Sequence, residues 1–106
     1  MTRTVIESAT RTVVIGFDEP FCVIGERINP TGRKKLAAEL EAGDFSTVER
    51  DAVEQVLCGA TVLDVNSGAV FTNKMAEDPR YADNNFVEPP LMQALIERVQ
   101  AVVDVP

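Results

Sequence analysis

The chain has 106 residues, of which 45% are hydrophobic and 25% charged, the composition of a globular protein with one modest core. No apolar run approaches the ~20 residues a membrane helix needs, and the first ten lack the apolar stretch of a signal peptide, so a cytoplasmic location is expected. A net charge of −7 opposes binding to phosphate backbones, and the absence of histidine removes the commonest general base and zinc ligand.

Residues 1–11 are polar and read as a loose leader. Residues 12–17 (TVVIGF) form a β-branched run, and 21–25 (FCVIG) a second one beyond the turn at Asp18-Glu19-Pro20. The two are expected to pair as a hairpin over one end of the fold. Lys34–Glu41 (KKLAAELE) consists of strong helix formers and stops at Gly43. Ser46 and Glu49 have the spacing of a capping box, opening a helix whose apolar face carries Val48, Ala52, Val53, Val56 and Leu57. That helix ends at Gly59, before residues 61–65 (TVLDV), a run suited to a strand buried on both faces.

Residues 66–87 are rich in Asn, Asp, Gly and Pro, and a loop of about 20 residues in a small domain is usually functional. Glu77, Asp78 and Asp83 lack calcium-loop spacing and read as solvated, while Tyr81 and Phe86 are candidate anchors. Glu88 opens the last helix, with Pro89 and Pro90 tolerated in its first turn and an apolar stripe from Leu91 to Val103. Cys22 and Cys58 both lie in apolar context and read as buried thiols.

Strands alternating with helices predict an α/β fold in which the strand at 21–25 lies parallel to that at 61–65. Ligands of such folds bind at the carboxyl ends of the strands. The first strand delivers Glu26 and Asn29 there, the second Asp64 and Asn66. Carboxylates accept paired bonds from an amino-amidine edge and asparagines both donate and accept, so the set suits a nitrogen-rich heterocycle. The competing reading makes Asn29 and Asn66 ordinary turn formers. Arg27 reads as solvated or ion-paired, and Arg33-Lys34-Lys35 as an exposed first turn.

Two segments carry a resemblance. VIGERINPTGRKKL (23–36) and GATVLDVNSGA (59–69) resemble, in order and spacing, the opening motifs of the pterin-binding methyltetrahydrofolate methyltransferases, which include the folate domain of cobalamin-dependent methionine synthase. Dihydropteroate synthases share that family's fold but usually differ in the first motif. The resemblance implies that residues 12–106 are the N-terminal βα units of a (β/α)8 TIM barrel, itself ~250 residues long. It implies a pterin-lined mouth that includes Glu26, Asn29, Asp64 and Asn66. The implied activity is methyl transfer from 5-methyltetrahydrofolate to a corrinoid protein, the cobalamin being carried by a partner. The family's main pterin contacts come from later strands, so this chain alone is expected to be inactive, or completed by another chain or by self-association. The alternatives are dihydropteroate synthase-like folate biosynthesis and a non-catalytic pterin- or protein-binding module.

Overall fold

Two short β-branched runs open the chain and find each other across a tight turn. In the computed structural model, which describes residues 2–68, 77 and 87–106, Thr4–Glu7 (β1) pairs antiparallel with Thr12–Ile15 (β2). Ser8 N donates to Arg11 O at 2.8 Å and Arg11 N to Ser8 Oγ at 3.2 Å, closing the turn. The leader is not loose throughout, and the partner of residues 12–15 is residues 4–7 rather than 21–25. Both TVIE and TVVI suit a pleated surface. Asp18 and Glu19 hold the following turn by pairing with Arg3 at 2.9 and 3.2 Å.

Ile24–Ile28 (β3) and Val62–Val65 (β4) pair in parallel, as the alternation of elements predicts. The first strand lies three residues later than the apolar run suggests and includes Glu26. Helix α1 spans Lys34–Glu41 and ends where Gly43, at φ 77°, donates to Leu40 O. Helix α2 spans Ser46–Leu57 and α3 spans Glu88–Val102, with Pro89 and Pro90 in its first turn. The capping box does not form. Asp44 Oδ1 accepts from Ser46 N at 3.0 Å, while Glu49 pairs with Arg98 of α3 at 3.3 Å. Arg98 also lies over the Phe45 ring, 5.3 Å from its centroid.

The core gathers on one side of the parallel pair. Ile28, Leu36, Leu40, Val48, Ala52, Leu95 and Val99 are buried together, and Leu63, Val65, Leu91 and Met92 pack against them. The buried stripe of α2 differs from the one predicted. It carries Val48, Asp51 and Ala52, while Val53 is on the exposed side and Leu57 is 81% exposed. A 3.6-residue period starting at Val48 passes through positions 51, 52 and 55, leaving 53 and 57 on its flank. Cys58, at the end of α2, is exposed and Cys22 half-buried, both as free thiols, so the expectation of two buried thiols does not hold.

After α3 the chain returns to the sheet. Val105 is buried, and Pro106 O accepts from Leu63 N at 2.9 Å on the edge of β4 away from β3. The hairpin lies toward the opposite pole from the strand ends. Thr12, Val13 and Val14 share a cleft with Cys22 and Thr61, and Thr10 donates to the Asp104 carboxylate through its hydroxyl and, at 3.4 Å, its amide. A hairpin does therefore lie at one end, with residues 12–15 as predicted but residues 4–7 in place of 21–25. Most of the loop read at 66–87, with Asp78, Tyr81, Asp83 and Phe86, lies outside the described residues; Glu77 is exposed. Among the described residues, no helix is long and apolar enough to cross a membrane.

Candidate functional site at the strand ends

Glu26 and Asn29 are three residues apart, and in a regular strand such residues face opposite ways. The structure removes this difficulty with a bulge. Gly25 pairs with Leu63 and Ile28 with Val65, so β3 spends one residue more than β4 between those pairs. Gly25 faces the helices, since a Cβ there would meet Gln55 Oε1 at 2.6 Å and Leu63 Cδ2 at 2.8 Å. Ile28, fully buried in the core, faces the helices too. Glu26 therefore lies on the other face, and the phase change places Asn29, directly after Ile28, on that same side.

The matching strand is regular. Leu63 and Val65 pack on the helical core, so alternation turns Asp64 and Asn66 to the face that carries Glu26. The register sets Glu26-Arg27 against Asp64, and Asn66 N donates to Ile28 O at 2.9 Å, tying the two strand ends together. Glu26, Asp64 and Asn66 are exposed, so this face is open where they stand. The structure thus brings all four sequence-predicted residues to one end and one face of the parallel pair.

Both asparagines also form turns. Asn29 Oδ1 accepts from Thr31 N at 2.9 Å and Asn66 Oδ1 from Gly68 N at 2.6 Å. The turn-former reading is correct for their oxygens. It also orients the amides, because an Oδ1 held by a backbone N–H leaves Nδ2 as the group on offer. Neither Nδ2 has a partner among the described residues. The face therefore presents two carboxylates as acceptors and two carboxamide nitrogens as donors. Ser67 is buried and donates to Glu88 O at 3.3 Å, which ties the loop after β4 to the start of α3.

The loop after β3 is fixed in turn. Pro30 is buried, and Arg33 N donates to Pro30 O at 3.0 Å across Thr31 and Gly32. Gly32 has φ 75°, the value a type II turn requires at its third residue, which explains a glycine there. Sequence reasoning missed Asp51, 1% exposed on α2, with Arg33 at 3.1 Å and Arg27 and Arg50 each at 3.7 Å. Arg27 is ion-paired, as the plainer reading held. Arg33, read as exposed, is half-buried against that carboxylate. The signal was a polar residue in the middle of an apolar stripe, in a sequence with arginines at 27, 33 and 50.

Among the described residues no three His, Cys, Asp or Glu side chains gather as a metal site would need. No protein-family model matches the chain, and a search of curated proteins returns no match.

Proposed function

We propose that the chain forms the first strand ends of a pterin-binding (β/α)8 barrel, and that its function is methyl transfer from 5-methyltetrahydrofolate to a corrinoid protein. The observation that carries the reading is the opposition of Glu26 and Asp64 on one open face, with the Asn29 and Asn66 amides beside them. A reduced pterin presents an amino-amidine edge, whose paired N–H groups suit a carboxylate, and carbonyl and ring-nitrogen acceptors, which suit a carboxamide N–H. Anions have little to gain on this face, since it places two carboxylates together.

In this reading the four side chains bind and orient the ring. Methyl transfer from N5 further requires that the departing amine be protonated or strongly hydrogen-bonded, because a neutral tertiary amine is a poor source of methyl. No residue of this chain is assigned that step. The corrinoid nucleophile would be carried by a partner protein.

The test is a nuclear magnetic resonance titration of the 15N-labelled chain with 5-methyltetrahydrofolate, with p-aminobenzoylglutamate as the control lacking a pterin. Saturable shifts at the amides of Glu26, Asn29, Asp64 and Asn66, produced by the folate alone and abolished in Asp64→Ala, are expected. Shifts confined to the hairpin pole, or none, would reject the pterin site.

A further inference from the structure

Resting on the pterin-site reading, we propose that Asp51 is a positioning residue for the strand-end face, its carboxylate acting through Arg33 on the bulged residue Arg27. A bulge leaves its extra residue without ladder partners on the neighbouring strand. Here side chains hold both main-chain groups of Arg27, and Arg27 O accepts from Asn29 N at 2.9 Å as well. Gln55 Oε1 accepts from Arg27 N at 2.9 Å, and Arg33 NH1 donates to Arg27 O at 2.7 Å.

Arg33 bears on the Asp51 carboxylate, and Gln55 on the Asp51 main-chain oxygen alone. The Arg33 NH1 that holds Arg27 O also donates to Asp51 Oδ2 at 3.1 Å, and Gln55 Nε2 donates to Asp51 O at 3.1 Å. The carboxylate is almost wholly buried and lies behind the face rather than on it. Its Oδ1 has no hydrogen bond and is faced by Arg27 and Arg50, each 3.7 Å away. The Asp51 carboxylate thus anchors the guanidinium that holds Arg27 O, one of the two side chains that keep the extra residue in β3. Without the bulge, period-two alternation would put Asn29 on the face opposite Glu26. The carboxylate that touches no ligand therefore sets which face the ligand-facing amide occupies.

The test compares Asp51→Ala, Asp51→Asn and Leu95→Val, the last being a core change away from the strand ends that reports on destabilisation alone. In the ligand-free chain, Asp51→Ala leaves the Gln55 bonds in place but frees Arg33, so it is expected to speed hydrogen exchange at the Asn29 amide, which donates to Arg27 O at 2.9 Å, well beyond Leu95→Val, and Asp51→Asn, which keeps an acceptor for Arg33, to restore protection. With 5-methyltetrahydrofolate, Asp51→Ala is expected to weaken binding by about tenfold or more, as a misplaced contact does, with Leu95→Val unchanged. If Asp51→Ala does not fold, Arg33→Met cuts the same link between the carboxylate and Arg27 O and is read the same way. Equal behaviour of Asp51→Ala and Leu95→Val overturns the positioning role. Wild-type protein that binds no folate, together with loss of Asn29 protection in Asp51→Ala alone, overturns the pterin reading and leaves the positioning role standing.

Discussion

Gln55 Oε1 lies 2.6 Å from where a Cβ on Gly25 would stand, and the same atom accepts the Arg27 N–H at 2.9 Å. Helix and strand approach so closely here that one oxygen both fills the space over the glycine and serves the bulge. Gly25→Ala must displace that oxygen and also Leu63 Cδ2, which would be 2.8 Å away. The expected loss of stability is about 1–3 kcal/mol, the usual range for overpacking, measured by urea unfolding. Arg27 amide exchange should accelerate with it. An unchanged unfolding midpoint would mean that the two elements separate at little expense.

Leucines 57 and 95 look alike in sequence, each on a helix with apolar neighbours, but their surroundings differ. Leu95 is fully buried among the core residues of α1, α2 and β3, whereas Leu57 is 81% exposed. Leu95→Ala is expected to destabilise by about 2–5 kcal/mol and Leu57→Ala by less than about 0.5 kcal/mol. Thermal unfolding of the two variants checks both values. A loss at Leu57 close to that at Leu95 would show that a partner covers the exposed side of α2.

The start of α2 separates two capping schemes. Asp44 Oδ1 accepts from both the amide and the hydroxyl of Ser46, at 3.0 and 2.6 Å, while Glu49 is turned toward Arg98. Asp44→Ala should therefore lower the melting temperature, and Asp44→Asn, which keeps an acceptor, should lower it less. Glu49→Ala removes a partly exposed ion pair, worth about 0–1 kcal/mol. A larger effect at Glu49 than at Asp44 would restore the capping-box scheme.

Acid should weaken two of these contacts. The hydroxyls of Ser8 and then Thr10 hold the Asp104 carboxyl below its ordinary 3.8, and the hydroxyl and amide of Ser46 do the same for Asp44. A carboxyl with a lower pKa folded than unfolded binds its proton more weakly in the folded chain. Its contribution is whole above the unfolded value and is lost as pH falls through the folded one. Hydrogen-exchange protection of Ser8–Arg11, corrected for intrinsic rates, should hold from pH 7 to about 5 and decline below about 4. In Asp104→Asn that acid-dependent part should vanish, and an unaltered pH profile in the variant would assign it to another group.

The helices were legible because their signals are local. Strong formers run from Lys34 to Glu41 before Gly43, and Pro89-Pro90 fits a first turn whatever the helix packs on. The strand-end residues were legible for a similar reason, since each lies within or shortly after a short apolar run. The hairpin was not, because TVVI pairs as well with one neighbouring run as another, and only the turn at Ser8–Arg11 decides. The bulge was hidden in the same way. I-G-E-R-I carries no mark of an extra residue until Gly25 and Ile28 are both known to face the helices. Asp51 was passed over because a carboxylate on a helix is normally solvated.

The contact between Thr10 and Asp104 bridges 94 residues. The entropy lost in closing a segment grows with its length, and one exposed hydrogen bond does not return it from an unstructured chain. The β3–β4 pairing and the helical core must draw the two regions together first. This contact is then among the last to form during folding, and a probe on Thr10 would report completion of the native topology rather than its nucleation.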